Sequence, residues 1–175
     1  MKSVFITLFL IIAAVSASRY NYDHDSDDVN ILALNKLSFE QVRIDYSYVL
    51  VKFWSPACPY SRRFAPEYIK ARSLVCNNAY SDAVFTSVNI KTEIDIKRQF
   101  NILATPTTRL FVKNQNTWIN YEGERRYDAL SGWVKTRIDS DRIFNKHIDH
   151  SSNSGSDSSD DKVIVNHNGR HYGKH

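Results

Sequence analysis

Between Val29 and Phe144 the apolar positions fall into two kinds of stretch, continuous or alternating runs and runs spaced three and four apart. Val29–Leu34 reads as a strand, and Ser38 as the cap of a short helix through about Ile44. Tyr48 to Trp54 is an apolar, β-branched run interrupted only by Lys52, the pattern of a central strand buried on both faces. Behind Pro59, apolar residues at 64, 65, 68, 69 and 75 predict a helix to about Val75. Pro66 lies inside it, deletes one backbone donor, and is expected to kink it. Val84–Ile90 predicts another strand and 92–100 a helix, with Ile96 and Phe100 four apart. Thr107–Val112 and Trp118–Tyr121, joined through Asn114-Gln115-Asn116, read as a hairpin. A last helix over about Tyr127–Phe144 buries Leu130, Trp133, Val134 and Ile138. This β-α-β-α-β-α-β-β-α order predicts an α/β fold with a central mixed β-sheet flanked by helices.

The two ends read differently. Lys2 precedes a twelve-residue apolar stretch, Val4 to Val15, broken only by Thr7, and Val15-Ser16-Ala17 then supplies small residues. That layout predicts a signal peptide over residues 1–17 and a secretory-pathway address, in the endoplasmic reticulum lumen or outside the cell. Residues 18–28 form an acidic segment, with Asp23, Asp25, Asp27 and Asp28 against Arg19 alone. Residues 29–146, read as one domain, carry 18 Lys and Arg against 11 Asp and Glu, a net charge of +7. Residues 147–175 are rich in Ser, Asp and His and are expected to be disordered, since they bury too little to offset their ordering entropy. Val163-Ile164-Val165 is the one apolar cluster there. His147, His150, His167, His171 and His175 show no tight ligand spacing, so no metal is predicted.

Across all 175 residues 42% are hydrophobic and 24% charged, an ordinary globular balance, and two cysteines exclude a disulfide-stapled mini-protein. No apolar run reaches the roughly 18 residues of a membrane span. The basic body would suit nucleic acid, but a secretory address argues against that partner.

Chemistry concentrates where the central strand gives way to the long helix, at Trp54-Ser55-Pro56-Ala57-Cys58-Pro59-Tyr60-Ser61. A cysteine at the start of a helix sits among unpaired N–H groups at the positive end of the dipole, which lowers its pKa below the free value of about 8.5. Lys52, Arg62 and Arg63 are expected to push the same way. Pro59 suits a first helical position.

Val51-Lys52-Phe53-Trp54-Ser55-Pro56-Ala57-Cys58, followed by Phe64-Ala65-Pro66-Glu67-Tyr68, resembles a thioredoxin-like domain of the protein disulfide isomerase family. Ala104-Thr105-Pro106-Thr107 resembles that family's cis-proline loop, and Tyr121-Glu122-Gly123-Glu124-Arg125 with Leu130 its closing strand, turn and last helix. The resemblance spans about residues 29–145. It implies a thioredoxin-like fold and thiol–disulfide exchange by Cys58 on unfolded or disulfide-bonded client proteins, or on another oxidoreductase through a mixed disulfide. It further implies a cis Thr105–Pro106 bond that docks an extended client, with Trp54, Pro59 and Tyr60 as neighbouring surface and Arg125 as a mobile cation. No metal or organic cofactor is implied.

Two departures qualify the resemblance. The family's Cys-x-x-Cys is here Cys58-Pro59-Tyr60-Ser61, and a serine cannot resolve a mixed disulfide. Net oxidation or reduction by the two-cysteine route is therefore excluded, whereas isomerisation is not. Lys52 stands where the family commonly has a buried acid. It either favours the Cys58 thiolate or runs its stem along the core edge with its charge in water. Cys76 lies 18 residues from Cys58. Along one helix that is roughly 27 Å, beyond disulfide reach. The leading expectation is a monothiol isomerase or thiol-dependent client holder. The alternatives are a non-catalytic, chaperone-like binder and a glutathione-linked monothiol oxidoreductase.

Overall fold

A computed structural model describes residues 31–152. The expected signal peptide, the acidic segment and the tail beyond Ser152, including Val163-Ile164-Val165, lie outside the described residues. In chain order the elements are β1 (Leu32–Ala33), α1 (Lys36–Asp45), β2 (Tyr48–Trp54), α2 (Pro59–Val75), a 3-10 turn (Asn78–Tyr80), β3 (Ala83–Asn89), α3 (Ile94–Gln99), β4 (Thr107–Val112), β5 (Trp118–Tyr121) and α4 (Tyr127–Ser152). They form a five-stranded sheet in the order β1-β3-β2-β4-β5. The β1–β3 and β2–β3 pairs are parallel, and the β2–β4 and β4–β5 pairs antiparallel. The expected mixed sheet with flanking helices is thus present.

Strand β2 occupies the centre because its alternate residues serve two cores. Tyr48 and Leu50 join Phe64, Tyr68, Ala71 and Val75 of α2 and Leu130, Val134 and Ile138 of α4. Val49, Val51 and Phe53 join Phe39 and Val42 of α1, Ile96 of α3, and Phe100, Ile102 and Phe111. In this second core Phe100 packs edge-on against Phe111 and Trp118, at centroid distances of 5.4 and 5.5 Å.

Local chemistry sets the ends of the elements. Helix α1 is capped by Asn35 rather than Ser38: the Asn35 side chain accepts from the N–H groups of Leu37 and Ser38. The Ser38 hydroxyl accepts from the Asn35 N–H in return, a reciprocal box. Helix α2 is helical on both sides of Pro66. Cysteines 58 and 76 are its N-cap and C-cap residues, so a full helix separates them, and both are free thiols.

The chain divides into two compact units after Asp139, inside the span expected to be one domain. Helix α4 continues to Ser152, beyond the expected end at Phe144 and into the stretch expected to be disordered from 147. Helical propensity and i,i+4 bonds such as Asn145 to Asp141, 3.1 Å, outlast the buried stripe that set the expected end. Among the described residues no helix is long and apolar enough to cross a membrane.

Candidate active site

Cys58 takes the N-cap position of α2, with Pro59 at the first helical residue. Its backbone is extended (φ −89°, ψ 115°), so the side chain stands at the helix mouth rather than along its flank. The thiol is half-buried and makes no capping bond; it donates to the Thr105 carbonyl, 3.2 Å away. Thr105 precedes Pro106 through a cis peptide bond, as expected. Sheet pairing produces this juxtaposition across 47 residues of chain: β4 lies antiparallel beside β2, with Phe53 opposite Thr107, so the loop entering β4 meets the exit of β2.

The Cys58 thiol is lowered to about 7. Hydrogen bonding by the Thr105 side chain contributes most, then the Ser61 backbone, with smaller shares from the Ser61 hydroxyl and the Tyr60 backbone, while desolvation opposes them. Once ionised, the sulfur becomes an acceptor, and Tyr60 and Ser61 hold the second and third helical positions whose N–H groups an N-cap acceptor engages. The Thr105 carbonyl works the other way, because a thiolate has no proton to give it. The donors prevail.

Ser61 stands where a resolving cysteine would be and is 2% exposed. Its oxygen accepts from the Ser55 N–H at 3.4 Å, and its hydroxyl proton remains for Cys58.

The cations behave differently from expectation. None of Lys52, Arg62, Arg63 and Arg125 is among the causes that lower Cys58. Each is directed elsewhere. Arg62 donates to the Pro56 carbonyl at 2.7 Å. Arg63 and Arg125 approach the ring of the exposed Tyr60, at 4.8 and 5.9 Å. Lys52 is 5% exposed, with Nζ 4.8 Å from the Tyr68 ring centroid, so its charge is not in water. Short-range hydrogen bonding, rather than cation proximity, sets the thiol.

The remaining expected residues lie on the strand end, helix start and loop that meet at Cys58. Trp54 is half-buried at the end of β2, Pro59 and Tyr60 are exposed at the helix start, and Pro106 is buried beneath the loop. Cys76 is half-buried, 3.5 Å from the Ala83 carbonyl, and burial pushes its thiol up. It takes no part in the site.

Sequence reasoning missed three features. Tyr68 read only as an apolar helix position, yet its hydroxyl reaches the carbonyls of Leu50 and Thr86, at 2.9 and 3.0 Å, tying β2 to β3. Arg109 is buried in β4, bonded to Asn120 and the Phe100 carbonyl and stacked 4.6 Å from the Trp118 ring. Leu103, beside the cis-proline loop, is 86% exposed; it lies between the helix expected over 92–100 and the strand expected from Thr107, so no periodic pattern marked its direction. Among the described residues no group of three or more His, Cys, Asp or Glu could hold a metal ion.

A family model described as thioredoxin matches residues 30–136. The chain is 29% identical over 136 residues to a probable protein disulfide-isomerase A4 of Caenorhabditis elegans, covering 74% of this chain and 21% of that protein. It is 29% identical over 113 residues to the protein disulfide-isomerase of Oryctolagus cuniculus, covering 63% and 22%. The chain therefore spans about a fifth of these relatives' length. Among solved structures, the first thioredoxin domain of mouse protein disulfide-isomerase A4 superposes with a TM-score of 0.55 at 23% identity, over 66% of this chain and 84% of that one. Human ERp44 form I gives 0.58 at 20%, over 65% and 30%.

Proposed function

The chain belongs to the thioredoxin family, and on that premise we propose that it performs thiol–disulfide exchange on client proteins with Cys58 as sole nucleophile. The observation that carries this reading is a thiol lowered to about 7, held against Thr105, with a buried Ser61 where a second thiol would stand. In the first step the Cys58 thiolate attacks one sulfur of a client disulfide. A Cys58–client disulfide forms, the client S–S bond breaks, and the departing client sulfur leaves as a thiolate that takes a proton from water. Ser61 cannot attack the mixed disulfide, so the intermediate persists until a thiol arrives from elsewhere. A second client thiolate releases Cys58 and completes an isomerisation; a thiolate of another oxidoreductase or a small thiol instead attacks the Cys58 sulfur, frees the client as a dithiol and leaves Cys58 in a mixed disulfide, from which a second such thiol releases it as the S–S bond passes to the two external sulfurs. The Thr105 edge aligns an extended client segment, and Trp54, Pro59 and Tyr60 supply surface beside the sulfur. The setting is the secretory pathway, where client disulfides occur.

The test is covalent trapping. Wild type, Cys58→Ala and Cys76→Ala are mixed with scrambled and reduced client proteins, quenched with acid, and compared on non-reducing and reducing gels. Adducts lost only in Cys58→Ala are expected. Clients bound equally by all three proteins without adducts would instead show a non-catalytic binding module.

A further inference from the structure

Beside the cis-proline loop lies a cleft of about 420 Å³ lined by Phe64, Pro106, Thr108, Tyr121, Glu122, Gly123, Glu124 and Arg125. Phe64 and Thr108 form its inner wall, 2% and 4% exposed. Thr108 is a buried polar residue whose hydroxyl meets no hydrogen-bond partner among the described residues. A buried hydroxyl left unmatched is costly unless something enters to satisfy it. Thr108 pairs across the sheet with Tyr121, which also lines the cleft, so both side chains serve one face of the hairpin. Gly123 keeps the cleft open: a Cβ there would lie 2.8 Å from the Tyr121 hydroxyl and displace the ring.

The lining carries two carboxylates against one guanidinium. Glu122 and Glu124 are exposed and form no ion pair among the described residues. Of the nearby cations, Arg126 is held by Asp128 at 2.7 Å; Arg125, itself part of the lining, leans over the Tyr60 ring at 5.9 Å; and Lys52, opposite Thr108 across the sheet, is buried with its Nζ 4.8 Å from the Tyr68 ring centroid. Tyr121 reports the same field: burial first, then the charges of Glu124 and Asp128, push its pKa up.

Pro106 lines the cleft, and the residue before it contacts Cys58. We propose that this cleft is a specificity subsite of the exchange reaction that accepts a long basic side chain, lysine or arginine, flanking the reactive cysteine of the client. This rests on the reading of Cys58 as nucleophile. Successive side chains of an extended client point to opposite faces, so when its cysteine meets Cys58 a flanking side chain is directed away from the sulfur. In the cleft its aliphatic stem lies against Phe64, Pro106 and Tyr121, its head is shared by the Glu122 and Glu124 carboxylates, and the Thr108 hydroxyl gains a partner.

The test uses short peptides whose single cysteine is disulfide-bonded to thiopyridine, so that attack by Cys58 releases a chromophore and leaves a protein–peptide disulfide. Lys, Glu, Ala or diaminopropionate is placed at each of two positions on either side of the cysteine, and second-order rates are measured with the full-length chain. At one position Lys is expected to react at least about fivefold faster than Glu, by opposite-charge attraction and like-charge repulsion. Diaminopropionate, also an amine but too short to fill the cleft, should react no faster than Ala when assayed below the pKa of its amine. Glu122→Gln with Glu124→Gln, both exposed and foldable, should bring the Lys/Glu ratio to about one while leaving the Ala peptide unchanged; Thr108→Val should lower the ratio partway. Release without Lys/Glu discrimination, or discrimination that survives the double substitution, overturns the subsite alone. Equal rates for Lys and diaminopropionate reduce it to long-range steering and overturn it too. If Cys58→Ser releases thiopyridine as fast as wild type, the nucleophile assignment itself fails, and the subsite with it.

Discussion

Replacing Thr105 by valine removes the largest contribution to the lowered Cys58 pKa while keeping the β-branched shape suited to an extended residue before proline. The thiolate is the reactive, charged form, so reactivity climbs with pH through the folded pKa and levels off above it. Losing a donor moves the climb to higher pH. At a pKa of about 7, roughly half of Cys58 is thiolate at pH 7, against about 3% for a free thiol of pKa about 8.5. That is about a sixteenfold gain in thiolate. Intrinsic nucleophilicity falls as the pKa falls, by about fivefold here for a Brønsted slope of about 0.4–0.5, leaving a net advantage of only about threefold. A single rate at neutral pH is therefore a weak test, and the midpoint is the strong one. Alkylation of Cys58 by iodoacetamide between pH 5 and 10, read by mass of the modified peptide, should give a midpoint of about 7 in the wild type. Thr105→Val should shift it upward furthest. Ser61→Ala should fall between the two, because it removes the hydroxyl but keeps the Ser61 N–H. A larger shift in Ser61→Ala than in Thr105→Val, or no shift in either, would refute the assignment of the lowered pKa to these donors.

Three further outcomes are expected. Lys52→Met exchanges a buried lysine, 5% exposed, for an apolar chain of similar length and should be neutral or stabilising, because burial disfavours the charged form; a lowered thermal midpoint would show that the amine is needed where it lies. Tyr68→Phe strips the hydroxyl that reaches Leu50 and Thr86 and should cost about 1–2 kcal/mol in urea unfolding, with unchanged stability counting against the strand tie. Cys76, whose thiol burial raises, favours its neutral form, so its contribution to stability is present below about pH 8.5 and is lost as pH rises through the folded pKa. Limiting iodoacetamide at pH 7 should accordingly mark Cys58 alone, and equal labelling of both thiols would contradict the burial of Cys76.

The strands β2, β4 and β5 and the long helix α2 were legible in the sequence because their signals are local. A continuous β-branched run, a hairpin turn and a proline after a cysteine each act within a few residues. The thiol's place at a helix mouth was legible for the same reason, as was the separation of Cys58 from Cys76. Even the Asn35-x-x-Ser38 box is written locally, although both residues are plausible caps and only the chain geometry ranks them.

Tertiary structure decided what depends on pairing between distant segments. The 46 residues between Cys58 and Thr105 carry no local signal of their contact, which only the family resemblance implied; antiparallel placement of β4 against β2 creates it. Sequence proximity suggested that Lys52, Arg62 and Arg63 would add to the helix terminus in lowering the thiol's pKa, but proximity along the chain does not fix the direction of a long side chain. In the fold their heads go to the Tyr68 ring, the Pro56 carbonyl and the Tyr60 ring. The cleft beside Pro106 is likewise invisible in one dimension, since it joins α2, β4 and the turn after β5. The sequence alone determined that the motif holds one cysteine, Cys58, and that no second thiol accompanies it there, because both are matters of residue identity. What surrounds that sulfur was settled by packing, because hydrogen bonds and burial act over a few ångströms of space and not along the chain.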